Sequence, residues 1–159
     1  MKDLKRETMS EVLNAPEHAG SIVVVDDDPA VRKALGRLLS MLGNRVSLFD
    51  SAESFLASAA ARCALCIVLD IDLGDASGLD VACQLGERGL NIPLVFITGS
   101  ENEAVRERAL ALGCVAYLRK PFTEAKLMDA VAKAMLEASN RLGRYDSSRS
   151  GQTAWSHIE

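Results

Sequence analysis

Apolar residues fall along the chain in five short runs: Ile22–Val25, Val46–Phe49, Leu65–Leu69, Leu94–Ile97 and Val115–Leu118. Each has the length of a strand, and three are almost continuously apolar, which predicts strands covered on both faces of a parallel sheet. Between the runs the spacing changes to three and four. Val31, Leu35, Leu38 and Leu42 share one helical face, with Pro29 suited to the first turn and Gly43 just past the end. Ala52, Phe55, Leu56 and Ala59 mark a second helix, and Leu79, Ala82, Cys83 and Leu85 a third. Ala104, Val105, Ala109 and Leu112, closed by Gly113, mark a fourth. The last helix is expected from about Thr123 to Leu142, with Leu127, Val131, Ala134, Met135 and Ala138 on one side. The pattern is (βα) five times. It predicts an α/β doubly wound fold in which a five-stranded parallel sheet of order 2-1-3-4-5 carries helices on both faces.

The expected organisation is one folded domain over 21–142, a flexible N-terminal arm over 1–20 and a flexible C-terminal tail over 143–159 that contains Trp155. A chain of 159 residues, 48% apolar and 25% charged, fits one ordinary core. Its longest unbroken apolar stretch, Cys63–Leu69, is far short of the roughly 20 residues that span a bilayer. The first twenty residues mix charges of both signs without an apolar segment of the secretory kind, so the cytoplasm is the expected location and no membrane contact is expected. A net charge of −4 gives no basic footprint for phosphate backbones, so direct nucleic-acid binding is not expected. Cys63, Cys66, Cys83 and Cys114 read as reduced thiols in or near the core; the Cys63/Cys66 pair has no second half to complete a zinc site.

In open parallel sheets ligands bind beyond the carboxyl ends of the strands. Run one ends in Asp26-Asp27-Asp28, run three in Asp70, run four in Thr98, and run five, after Arg119, in Lys120-Pro121. In the expected strand order these residues share one rim. Asp28, before Pro29, suits a helix N-cap. Asp26 and Asp27 cannot both cap the same helix, and two like charges 4 Å apart cost about 4 kcal/mol at an effective dielectric near 20. A hard divalent cation such as Mg²⁺, held by oxygen ligands, offsets that repulsion. Taken alone, each group has an ordinary reading: a solvated turn for the acidic pair, a solvated cation for Lys120, and a cap near Glu101 for Thr98. Asp70 resists that reading because it follows seven apolar residues and falls at the centre of the sheet. Together the groups suit phosphoryl transfer, with a carboxylate as nucleophile and a metal, an amine and a hydroxyl sharing the phosphoryl charge.

This constellation, in this chain order, resembles the response-regulator receiver family of two-component signalling, over about Ser21 to Leu142. The segments that carry the resemblance are Ile22-Val23-Val24-Val25-Asp26-Asp27-Asp28-Pro29, then Val68-Leu69-Asp70 with Gly78 eight residues on. They continue with Phe96-Ile97-Thr98-Gly99 and Tyr117-Leu118-Arg119-Lys120-Pro121-Phe122. The resemblance implies a flavodoxin-like fold, with Asp70 as phosphoacceptor toward a phosphohistidine of a sensor histidine kinase or histidine phosphotransfer protein. It implies Mg²⁺ held by Asp26, Asp27, Asp70 and the backbone carbonyl of Asp72. Thr98 would move toward the phosphoryl group, Lys120 would pair with it, and Tyr117 would be the aromatic switch that packs inward when Thr98 moves. The fourth helix, fifth strand and fifth helix would form the output face. A single-domain regulator follows, signalling to a downstream protein by contact. It would be a phosphoacceptor rather than an enzyme, though able to catalyse its own phosphorylation and dephosphorylation, and a phosphorylation-dependent homodimer is compatible with it.

The chain departs from the family in having Leu73-Gly74 where a proline often ends the pair, which loosens the loop after Asp70 but removes no ligand. Asp72 and Ser100 stand where the family tunes loss of the phosphoryl group. Leu69-Asp70-Ile71-Asp72 also resembles the strand-end DxD of haloacid-dehalogenase-type phosphatases, with Asp70 as nucleophile and Asp72 as acid. Those enzymes place the DxD first and the metal-binding acid pair last, the reverse of the order here. A calcium-loop reading fails because its twelfth position is Val81. A receiver-like adaptor that works without phosphorylation is the third alternative, and intact Asp27, Asp70 and Lys120 weigh against it.

Overall fold

A computed structural model describes residues 20–152, with side chains as far as 142. The expectations for the N-terminal arm and for the end of the tail, including Trp155, lie outside the described residues. Five parallel strands, β1 (Ser21–Val25), β2 (Val46–Phe49), β3 (Ala64–Asp70), β4 (Leu94–Thr98) and β5 (Ala116–Arg119), form one sheet in the order β2-β1-β3-β4-β5. The helices are α1 (Pro29–Met41), α2 (Ala52–Ala57), α3 (Gly78–Glu87), α4 (Glu103–Ala111) and α5 (Glu124–Gln152), with a separate helical turn over Ala60–Cys63. This is the (βα)5 architecture that the hydrophobic pattern predicts.

The alternation of side chains along each strand divides the core in two. Val23, Val25, Ile67, Leu69 and Phe96 pack on one face with Phe55 of α2 and with Leu79, Val81 and Leu85 of α3. Ile22, Val24, Val68, Val95 and Ile97 pack on the other with Leu35 and Leu39 of α1 and with Leu127, Val131 and Ala134 of α5. Both layers need apolar neighbours, so β3 reads as an unbroken apolar run rather than an alternating one. Cys66 is fully buried here, and burial pushes its thiol up to about 12, which leaves it inert; all four cysteines are free.

Helix boundaries follow local chemistry. The Asp28 carboxylate accepts the Ala30 amide at 2.9 Å and Pro29 opens α1, as the chain predicts. The cap of α4 is Asn102, which accepts from Ala104 and Val105, and not Thr98. The second predicted helix stops at Ala57 because the Ser58 hydroxyl donates to the Phe55 carbonyl at 2.7 Å and accepts the Ala60 amide at 3.2 Å, competing with the helical pattern. Helix α5 runs to Gln152, past the expected end at Leu142 and into the segment expected to be tail. No proline interrupts 143–152, and an interior glycine costs a helix only about 1 kcal/mol.

Candidate functional site

Strand register builds the site. Val25 lies beside Leu69 in the parallel ladder, so one step further Asp26 comes beside Asp70, and both side chains leave the same face of the sheet. On the other side of β3, Asp70 pairs with Ile97, which puts Thr98 one residue on at the end of β4. The Lys120 amide donates to the Thr98 carbonyl at 2.7 Å, and this anchors the residue after β5 at the same rim. The Lys120–Pro121 peptide bond is cis.

The Lys120 ammonium donates to Asp26 Oδ2 and to Asp70 Oδ2, each at 3.0 Å. Asp26 is fully buried and Asp70 is 3% exposed, so this is a partly desolvated triad of two acids and one cation. The remaining oxygens are also engaged: Asp26 Oδ1 accepts the Asp28 amide at 2.9 Å, and Asp70 Oδ1 accepts the Asp72 amide at 3.1 Å. Among the described residues no buried side-chain oxygen or nitrogen lacks a partner.

Burial raises the Asp70 pKa to about 6, and the negative charge of Asp26 adds to the rise. The hydrogen bond and charge of Lys120 and the Asp72 amide act in the opposite direction. For Lys120, burial favours the neutral amine, but the hydrogen bonds and charges of the two carboxylates outweigh it, so its pKa is raised and the ammonium persists.

One carboxylate oxygen from each of Asp26, Asp27 and Asp70 lies within 4.8 Å of the others. Two of these acids are buried and Asp27 is exposed. All-oxygen donors that combine a fixed inner wall with an open side suit Mg²⁺, which keeps several waters and needs few protein ligands. The Asp72 side chain is exposed and does not belong to this carboxylate group; it contributes its amide to Asp70.

Thr98 is fully buried, and its Oγ1 accepts the Ser100 amide at 3.1 Å. Half-buried Tyr117 stands beside it. Burial raises the Tyr117 phenol, and its hydrogen bond with the Thr98 side chain opposes the rise. Tyr117 lines a cleft of about 350 Å³ together with Glu101, Arg106 and Phe122, and Arg119, also in its lining, pairs with Glu101.

The structure therefore brings together Asp26, Asp27, Asp70, Thr98 and Lys120, with Tyr117 next to Thr98. Sequence reasoning missed two contacts that hold this rim. Arg32 Nη1 donates to the Asp26 carbonyl at 2.8 Å, from one turn into α1. Asp75, five residues after Asp70, bonds the start of α2. An arginine on a helix face and an acid in a loop carry no local signal of those partners.

Residues 22–132 match the family described as the response regulator receiver domain. The chain is 38% identical over 114 residues to the response regulator protein TmoT of Ectopseudomonas mendocina, covering 72% of this chain and 52% of that protein. It is 34% identical over 114 residues to the transcriptional regulatory protein FixJ of Rhizobium meliloti, covering 72% and 56%. Among solved structures, FixJ-N superposes with a TM-score of 0.67 at 34% identity, covering 73% of this chain and 93% of that one. The response regulator StyR superposes at 0.79 and 31%, covering 89% and 71%. The fold and its acidic rim define a receiver-type phosphoacceptor domain. This chain belongs to the response regulator receiver family of two-component signalling. It spans about half the length of the curated relatives it matches. Family membership does not favour the phosphatase or the phosphorylation-independent adaptor. Among the described residues no helix is long and apolar enough to cross a membrane.

Proposed function

We propose that Asp70 accepts a phosphoryl group from a phosphohistidine of a sensor histidine kinase or histidine phosphotransfer protein. The observation that carries this reading is the Lys120 ammonium shared at 3.0 Å between Asp26 and Asp70, with Asp70 closing the central strand. One Asp70 oxygen attacks phosphorus, the P–N bond breaks, its electron pair stays on the imidazole nitrogen, and an acyl phosphate forms.

Asp26, Asp27 and Asp70, with the backbone carbonyl of Asp72, would hold Mg²⁺, and the clustered carboxylate oxygens of the first three support the reading. When bound, the ion spreads the negative charge of the phosphoryl oxygens. Lys120 holds a positive charge at the acceptor and keeps Asp70 oriented. The Thr98 hydroxyl turns from the Ser100 amide toward the phosphoryl oxygens, and the space it leaves admits the Tyr117 ring. The modification acts by favouring one of two arrangements of these side chains, as any ligand with differential contacts does. The changed face, α4, β5 and α5, then meets a downstream protein or a second copy of the chain, without direct contact to nucleic acid, in the cytoplasm.

Acetyl phosphate with Mg²⁺ should label the wild-type protein at one site, read by mass spectrometry, and Asp70→Asn should abolish the label. Labelling that survives the substitution refutes the assignment.

A further inference from the structure

After β3 the chain makes a short excursion with a paired base. Asp72 bridges antiparallel to Ser77, the Gly78 amide donates to the Ile71 carbonyl at 2.8 Å, and Leu73 donates to Ala76 at 3.3 Å. The tip is Gly74, at φ +79°, and Asp75. A Cβ placed on Gly74 would lie 3.6 Å from Oδ2 of Asp27, so one side of the tip is in contact range of an acid of the metal site. On the other side the two oxygens of Asp75 accept the first two amides of α2, from Ala52 at 3.4 Å and from Glu53 at 3.2 Å.

Helix α2 would otherwise leave these amides without partners. Ser51 Oγ takes the Ser54 amide and the Ser51 carbonyl takes that of Phe55, so Asp75 completes the set. The contact joins a carboxylate to the positive end of a helix. Glycine is the most permissive residue at this tip, and the chain has no proline there to stiffen it. Asp75, itself in the tip, supplies the restraint by bonding to α2 outside the loop.

We infer that Asp75 is a positioning residue for phosphorylation: by tying the loop tip to α2, it holds the Asp72 backbone and the wall beside Asp27 where Mg²⁺ binds. This inference rests on the phosphoacceptor reading above. Asp75 touches neither the metal nor the phosphoryl group, so its effect must pass through loop geometry.

The test compares Asp75→Ala, Asp75→Asn and Ser51→Ala in the full chain, with Mg²⁺ affinity read by calorimetry, labelling rate by acetyl phosphate, and amide exchange over 72–76 by mass spectrometry. Removing a residue that orients metal ligands typically weakens binding 10-fold or more, so Asp75→Ala should weaken Mg²⁺ by about 10-fold and speed exchange of the loop. Labelling should slow and stay on Asp70. Asp75→Asn keeps one acceptor oxygen and should recover most of the affinity. Ser51→Ala removes a cap of the same helix without touching the loop, and should lower thermal stability while leaving Mg²⁺ affinity alone. Unchanged Mg²⁺ affinity in Asp75→Ala, or an equal loss in Ser51→Ala, overturns the inference. A wild-type protein that binds no Mg²⁺ and takes no label overturns the phosphoacceptor reading itself.

Discussion

Gly78 lies against Asp70 so closely that a Cβ at position 78 would stand 2.3 Å from the Asp70 carbonyl oxygen and 3.0 Å from its carbonyl carbon. The obstacle is backbone at the end of the central strand, so no side-chain rotation relieves it. Gly78→Ala should therefore move the strand end, at a cost of roughly 2 to 3 kcal/mol, as overpacked sites do. Urea unfolding measures that loss. Labelling of Asp70 should fall as well, because the displaced carbonyl belongs to the residue proposed as acceptor.

Lys120 separates two buried acids, and removing it leaves them facing each other without a cation. Lys120→Met should destabilise the metal-free protein by about 3 kcal/mol, the low end for breaking a buried pair, since a quarter of the lysine side chain is exposed. Saturating Mg²⁺ should restore part of this by neutralising the same carboxylates. Thermal melts with and without Mg²⁺ read both effects, and a variant that Mg²⁺ leaves unaffected would place the metal elsewhere.

The pKa of Asp70 rises from 3.8 to about 6 on folding, mainly by burial. A raised acid binds its proton more tightly in the folded state, so its contribution to stability is complete below pH 4 and is lost as pH rises through about 6. With 1.36 kcal/mol per pH unit, the loss is on the order of 3 kcal/mol. Asp70→Asn removes this penalty. In the absence of metal the variant should be more stable than the wild type at pH 7.5, and the difference should vanish near pH 4. A pH series of urea midpoints checks it, and a difference that persists at pH 4 contradicts the assigned titration.

Three consecutive acids at the end of β1 have separate places: Asp26 faces Lys120, Asp27 stands at the exposed side of the acidic cluster with Asp26 and Asp70, and Asp28 caps α1. Asp28→Ala should cost about 1 kcal/mol of stability, the usual loss for an N-cap. Mg²⁺ affinity, read by calorimetry, should stay the same, whereas Asp27→Ala should lower it.

Most of the fold was legible because burial on both faces leaves a plain mark, an apolar run such as Cys66–Leu69 ended by a single acid. The rim was legible too, since parallel strands place Asp26, Asp70, Thr98 and Lys120 at corresponding ends once the strand order is known. What escaped was set by contacts between distant segments. Asp75 and Ala52 are 23 residues apart, and neither residue type announces the other. The break at Ser58 depends on a hydroxyl choosing its own helix's carbonyl, an option open to every serine. Helix α5 runs past its expected end because polar composition is no stop: helices are stopped by proline, by a left-handed cap or by lost packing.

The recess at the end of β3 limits who can deliver to it. With 3% of Asp70 open to solvent and Lys120 bonded to it and to Asp26, the carboxylate offers little surface to a flat partner. If Asp70 is the acceptor, delivery would be end-on, by a slender arm that stands proud of its own scaffold or by a free molecule small enough to enter. A group seated there would be screened by the same side chains, so its removal would be a matter of which water can follow it in.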